Sequence, residues 1–227
     1  MLHAWATTLF IAFAYCAGAQ TSASVVRFTP SFNGQPFVLE DQQVLSDGTE
    51  VSVTQFRFYV SHLALFANGG AVSSDTASHL IDASNRSSWE LALPLVERES
   101  VDSIRFLLGV DSITNVSGVH GGGLDPTTGM YWTWNSGYIN LKLEGECAKC
   151  TTKGNMFQFH LGGFLPPHFN AQWVGLAVPK DAPLDVQVDV ARLLDGVDLA
   201  VECTVMSPSD NAVRLARIAA ACFTMDR

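Results

Sequence analysis

The alternation of hydrophobic and polar residues predicts a chain made mostly of β-strands. From Val25 onward, short apolar or alternating runs are separated by stretches rich in Gly, Asn, Asp and Pro. Successive side chains of a strand point to opposite faces, so a period of two residues is typical of strands. We predict strands in VVRFTP, EVSVTQFRFYVSHLALF, VDSIRFLLGV, GYINLKLEG, NMFQFHLGGF and APLDVQVDVARLL.

The C-terminal segment has a different period, which predicts a helix. In SDNAVRLARIAAACF, a Ser/Asp start signal precedes Leu215, Ala219 and Cys222, which are spaced i, i+4 and i+7. We find no internal repeat and no linker that would divide the chain. The sequence therefore predicts an all-β protein, an antiparallel β-sandwich with a short C-terminal helix.

The N-terminal segment predicts export from the cytoplasm. Residues 1–19 contain no Asp, Glu, Lys or Arg and end in Ala17-Gly18-Ala19, a pattern typical of signal-peptide cleavage. We therefore expect a signal peptide at 1–19 and a mature domain at 20–227, although Cys16 leaves a lipoprotein open. No other segment approaches a membrane span. The expected location is periplasmic or secreted.

Composition and charge restrict the class of ligand. The chain is 48% hydrophobic and 15% charged, as globular proteins are, and its formal net charge is -9. A negative surface of this kind repels nucleic acid and anionic membranes. We therefore expect no nucleic-acid partner, and cationic ligands are favoured.

Four cysteines remain after the signal peptide, an even number that predicts disulfides in an exported chain. We predict that Cys147 bonds Cys150, its close neighbour in sequence, and that Cys203 bonds Cys222, which would tie the last strand to the helix. Four cysteines permit three pairings, so other pairings stay open. A redox dithiol or half a zinc site is the alternative for the CAKC segment, but no βαβ pattern surrounds it.

Three histidines are candidate metal ligands. His62 shares the parity of Phe56 and Phe58, so we expect it on the apolar face of its strand; His160 lies on the more polar face just before a Gly-Gly turn, and His120 heads a glycine-rich loop. Imidazole nitrogens are good ligands for copper or zinc, and the chain lacks the cysteine spacing of a zinc finger. Each histidine alone is also consistent with a hydrogen-bonded or solvated side chain.

Two of the five tryptophans, Trp132 and Trp134, are two residues apart in GMYWTWNSGYINLKLEG. On a strand they would project from one face, about 7 Å apart. A pair in the core is one interpretation. The adjoining polar loop, GVHGGGLDPTTG, favours a functional site instead.

Several segments in the same order resemble the MbnP-like family, whose relatives include the copper-binding proteins MopE and CorA. The segments are FRFYVSHLAL, HLIDASNRSSW, GMYWTWNSGYINLKLEG, FQFHLGGF and CTVMSPSDNAVRLARIAAACFTM. The resemblance implies an exported β-sandwich that binds copper through two histidines and kynurenine, an oxidised tryptophan. It also implies a diheme MauG-like partner of the MbnH type that makes the kynurenine.

The resemblance implies roles for particular residues. Trp132 or Trp134 would be oxidised, because opening the indole ring creates an aromatic amine that can bind a metal; His62, His120 and His160 would supply imidazoles. His62 stands where many relatives carry Asn. The implied function is copper storage, uptake or homeostasis without catalysis. The alternatives are a recognition module for carbohydrate or protein and a metal-dependent enzyme.

Overall fold

The computed structural model describes residues 23–135 and 137–226, so the predicted signal peptide lies outside the described residues. No helix in this part of the chain is long and apolar enough to cross a membrane. The helices are α1 (Ser112–Val116), α2 (Val190–Asp195) and α3 (Asp210–Ala220). The strands are β1 (Ser24–Phe32), β2 (Gln35–Pro36), β3 (Gln42–Val44), β4 (Glu50–Ala67), β5 (Gly70–Asp82), β6 (Glu90–Leu93), β7 (Ser103–Leu108), β8 (Tyr131–Trp132), β9 (Gly137–Cys147), β10 (Met156–Gly162), β11 (Gln172–Ala177), β12 (Asp185–Asp189), β13 (Thr204–Val205) and β14 (Phe223–Met225).

The strands form two sheets. The smaller sheet has the order β14-β12-β1-β2, with β6 also paired to β1. The larger has the order β11-β7-β4-β9-β10-β13, with β3 and β5 on β4 and β8 on β9. The predicted β-sandwich with a C-terminal helix is confirmed. Its sheets are mixed rather than purely antiparallel, because β12 pairs with β1 and β13 with β10 in parallel.

Phenylalanine side chains from both sheets fill the space between them. Phe28 of β1 and Phe223 of β14 belong to the smaller sheet, and Phe58 of β4 and Phe106 of β7 to the larger. The ring centroids of Phe28 and Phe106 are 5.1 Å apart, and those of Phe58 and Phe223 are 5.5 Å apart. Both pairs meet edge to face, the geometry that aromatic quadrupoles favour. These contacts therefore join the two sheets.

A β-bulge in β4 changes the expected position of His62. Before the bulge Phe58 and Val60 are buried, and after it Leu63 is buried, so the parity of the core-facing residues changes. The register with β5 shifts between Ser61 and Leu63, and His62 has a φ of 50°. A bulge adds one residue and redirects a side chain. The prediction that His62 lies on the apolar face is therefore wrong.

The chain near the C-terminus differs from the prediction in one segment. The predicted strand APLDVQVDVARLL is β12 followed at once by α2, because the Asp189 carboxylate caps the helix by accepting from the amide of Ala191 at 3.1 Å. The C-terminal helix begins as predicted, with the Ser209 hydroxyl accepting from the amide of Ala212 at 3.2 Å. The apolar face of this helix packs on the core.

All four described cysteines are buried and have free thiols. Neither predicted bond, Cys147–Cys150 or Cys203–Cys222, is present in the described part of the chain.

Candidate functional site

A second, smaller core lies on the outer face of the larger sheet. Two contacts attach the 118–129 segment across this face: the Tyr59 hydroxyl donates to the carbonyl of Gly123 at 2.9 Å, and Arg57 Nη1 donates to the carbonyl of Thr128 at 2.8 Å. Since Tyr59 alternates with the core-facing Phe58, it points outward. The buried residues of this second core are Tyr59, Val110, Met130, Trp132, Tyr138 and Ile139.

Trp132 and Trp134 are in contact, although only Trp132 lies on a strand. Trp132 ends β8 and pairs with Gly137 of β9, whereas Trp134 lies in the turn between these strands. Their ring centroids are 5.5 Å apart. Trp132 is 5% exposed and Trp134 is 64% exposed. The expectation that both side chains share one strand face is wrong for Trp134. The ring of Trp132 is packed in the protein, and the ring of Trp134, which contacts it, faces solvent.

Trp132 packs directly over Gly162 at the end of β10. A Cβ atom at Gly162 would lie 2.6 Å from Cζ3 of Trp132 and 2.8 Å from its Cη2, so the ring occupies the space that a side chain would need. His160 precedes Gly162 by two residues on the same strand. Positions two apart share a face and are separated by about 7 Å. His160 is therefore two residues from the position on β10 that Trp132 covers.

His160 forms a hydrogen bond to a carboxylate. Its Nε2 lies 2.6 Å from Oε1 of Glu144 on β9, and Lys142 Nζ is 3.6 Å from the same oxygen. The bond from His160 is the main cause that lowers the pKa of Glu144; the charge of Lys142 acts in the same direction, while burial opposes both. When the Nε2–H group of an imidazole donates to a carboxylate, the ring is held in one orientation. Its Nδ1 then keeps a free lone pair that can bind a metal, as in many metal sites. His160 has the surroundings of a metal ligand.

His62 lies in a second place where a histidine adjoins a tryptophan. Its Nε2 is 3.1 Å from Oδ2 of Asp111, and its ring centroid is 6.0 Å from that of Trp173 on β11. Arg105 lies over the same tryptophan, with Cζ 4.1 Å from the ring centroid. The sequence had offered Trp173 only as a ring that could stack on a ligand. Sequence reasoning missed Asp111, and it missed the contact of Trp173 with His62, because contacts between distant strands have no signal in local spacing.

His120 lies in an exposed loop that is attached to the second core through Tyr138. Its Nε2 is 2.7 Å from the Ser117 hydroxyl, and its backbone amide donates to the Tyr138 hydroxyl at 3.0 Å. The two remaining described histidines also adjoin carboxylates, His79 at Asp75 and His168 at Asp210.

The structure brings some of the predicted site residues together and separates others. His160 lies two residues from the glycine that Trp132 covers, whereas β9 lies between the strand of His62 and that of His160. Across these strands His160 is level with Arg57, five residues before His62, which puts the two histidines roughly 15–20 Å apart. In the described residues no three His, Cys, Asp or Glu side chains are grouped so that they could hold a metal ion.

These features define a class of protein: a β-rich domain of two sheets with a histidine–carboxylate pair and a tryptophan pair on the outer face of the larger sheet. The chain belongs to the MbnP family, whose model matches residues 21–207, and the predicted family is confirmed. MbnP from Methylosinus trichosporium has a similar fold, with a TM-score of 0.56 and 16% identity over 85% of this chain and 86% of that chain. No curated protein sequence matches.

Proposed function

We propose that this protein is an exported copper-binding protein that acts in copper storage, uptake or homeostasis, without catalysis of its own. The observation that carries the proposal is the His160–Glu144 hydrogen bond two residues from Gly162, the glycine that Trp132 covers while its ring contacts that of Trp134. Membership of the MbnP family supports the same function.

The donor atoms suit copper once a tryptophan is oxidised. His160 offers one imidazole nitrogen, and imidazole is a good ligand for copper. An indole has no lone pair available for coordination, whereas kynurenine carries an aromatic amine and a ketone. Oxidation at the tryptophan pair would therefore complete a site at which His160 alone supplies too few donors.

The charges around the four described tryptophans favour the pair as the oxidised site. Arg86 lies over the ring of Trp89 at 5.5 Å, and Arg105 lies over that of Trp173 at 4.1 Å. A cation over a ring stabilises its electron-rich face, and it repels the positive charge that the ring gains when it loses an electron. Among the described residues, no such contact occurs at the pair.

Exposure favours Trp134 over Trp132 as the modified residue. Trp134 is 64% exposed, so a diheme MauG-like oxidase of the MbnH type can approach it and accept its electrons. Trp132 is 5% exposed and is held against Gly162. We propose that Trp134 becomes kynurenine and that Trp132 positions its ring.

A recognition module is the second candidate, because two tryptophans face solvent. Trp134 is 64% exposed and Trp173 is 53% exposed, and exposed rings of this kind stack on sugars or protein side chains. A metal-dependent enzyme at the same histidines is the third. It would require an open coordination position and turnover of a substrate.

The test is metal analysis and peptide mass spectrometry of protein made with and without the diheme partner. With the partner we expect close to one copper per chain and a gain of about 4 Da on the peptide of Trp134; without the partner we expect neither. W134F should abolish the gain, and the matched control W173F should keep it. Absence of copper after copper supplementation, or a gain at Trp89 or Trp173, would overturn the proposal.

A further inference from the structure

Three of the four cysteines meet in the core beside the β9–β10 connection. Cys147 ends β9, and its carbonyl accepts from the amide of Cys150 at 2.9 Å in the following turn. Cys203 comes from a distant part of the chain. Its carbonyl accepts from the amide of Gln158 at 2.7 Å, which attaches its segment to β10. The tertiary structure therefore brings Cys203 to the hairpin.

One carbonyl oxygen accepts hydrogen bonds from two of these thiols. The carbonyl of Leu199 accepts from the sulfur of Cys150 at 3.5 Å and from that of Cys203 at 3.0 Å. Burial is the main cause that raises the pKa of Cys150, and hydrogen bonds with the thiols of Cys203 and Cys147 add to it. The thiol of Cys150 therefore lies between those of Cys147 and Cys203 and interacts with both.

Cys222 is outside this group. Its thiol donates to the carbonyl of Ile218 at 3.1 Å, within its own helical turn. Burial raises the pKa of Cys222 to about 11, and the charged groups that act on it are Arg192 and Asp189 rather than another cysteine. A pairing of Cys203 with Cys222 would have to draw Cys203 away from Cys150.

One surface cavity reaches the cysteine group. Cys147, which is 2% exposed, lines this cavity of about 220 Å³ together with Glu50 and Glu146. An external oxidant that enters the cavity can therefore meet the thiol of Cys147.

We propose that Cys147, Cys150 and Cys203 form a thiol–disulfide exchange centre whose stable oxidised product is a Cys150–Cys203 disulfide. The oxidant is a small or protein disulfide. The thiolate of Cys147 attacks it, forms a mixed disulfide and releases one thiol. Cys150 then attacks the sulfur of Cys147 and releases the second thiol. Finally Cys203 attacks the sulfur of Cys150, which leaves Cys147 as a thiol.

Loop length favours this product over the Cys147–Cys150 bond. A bond between Cys150 and Cys203 closes a loop that contains β10, β11, β12 and α2, and longer closed loops restrict the unfolded chain more. The bond also fastens the segment of Leu199 to the hairpin. The inference is independent of copper binding, and its test is carried out with metal-free protein.

Trypsin gives a direct test, because each cysteine falls on its own peptide. Cleavage after Lys or Arg places the four cysteines on peptides 143–149, 150–153, 193–214 and 218–227. The full chain is reduced, treated with oxidised glutathione, alkylated in denaturant and digested. We expect 150–153 joined to 193–214, with the other two peptides alkylated. A 193–214 to 218–227 link, a final 143–149 to 150–153 link, or four alkylated cysteines would overturn the proposal.

Single variants test the roles within the centre. C203A should stop the exchange at a link between 143–149 and 150–153, and C147A should give the wild-type link but roughly tenfold more slowly. C222A is the matched control, a buried cysteine outside the group, and should behave as wild type. Reduction should lower the Tm of wild type and C222A by about 5–10 °C. An unchanged rate in C147A would remove its role as the entry thiol.

Discussion

Two regions of the larger sheet combine the same kinds of residue and differ in what surrounds them. In the first, His160 is paired with Glu144 beside Trp132 and Trp134; in the second, His62 is paired with Asp111 beside Trp173. The second region has Arg105 over its tryptophan, and the first has no arginine over either ring among the described residues. The two regions therefore share their residue types and differ in whether an arginine covers the tryptophan ring.

The two regions also differ in how tightly their tryptophans are packed. Trp132 fills the space above Gly162, whereas a Cβ atom added at Gly175, two residues after Trp173 on β11, would meet nothing within 4 Å. Trp132 is therefore packed against the backbone of the larger sheet, whereas Trp173 lies on β11, the edge strand of that sheet.

The largest expected effect is on stability, from glycine to alanine changes in the two regions. G162A should lower the free energy of unfolding by about 1–3 kcal/mol, because the new methyl would clash with the Trp132 ring and with the carbonyl of Tyr138 at 2.6 Å. G175A is the matched control and should change it by less than about 0.5 kcal/mol. Urea denaturation measures both. Equal losses would show that the packing of Trp132 has no special rigidity.

The next effect is on copper affinity. H160A should weaken copper binding about tenfold or more in protein carrying the oxidised tryptophan, because it removes the imidazole beside the pair. H62A should weaken it less than about threefold, since His62 lies on another strand near the positive charge of Arg105. Competition titrations with a copper chelator give both values. A larger loss in H62A would move the site to the second region.

A smaller effect is expected at Trp173 when its cation is removed. R105Q should make Trp173 easier to oxidise by the diheme partner, so a modified fraction should appear on its peptide. The cation–π contact is worth about 0.5–1 kcal/mol at an exposed site, which corresponds to a few-fold change in yield. R86Q tests the same effect at Trp89. No oxidation at Trp173 in R105Q would mean that contact with the partner, rather than charge, selects the residue.

The smallest effect concerns the titration of Glu144. H160Q should raise the pKa of Glu144, because the hydrogen bond from His160 is the main cause that lowers it. A lowered carboxylate pKa stabilises the fold above the pKa of the unfolded chain, and this contribution is lost as pH falls through the folded value. The variant should therefore lose less stability than wild type on acidification. Carboxyl carbon shifts in NMR titrations measure the pKa, and H62Q should leave it unchanged.

The sequence by itself determined the local elements of this protein. The two-residue alternation in β4, β9 and β10 and the helical spacing of Leu215 and Ala219 in α3 are properties of neighbouring residues, so they can be read before folding. The segments that resemble the MbnP-like family are also local, so they were enough to predict the family. The sequence could propose His160 as a candidate ligand for the same reason, because its polar face and the following glycines are adjacent to it in the chain.

Only the tertiary structure decided which side chains meet. The bulge that turns His62 toward Trp173, the turn that leaves Trp134 exposed, and the approach of Cys203 to Cys150 all depend on pairing between strands distant in sequence. One added residue in a strand reverses the face of every residue after it, and no local pattern records where a partner strand requires it. The charges that separate the two tryptophan regions arise from the same distant contacts.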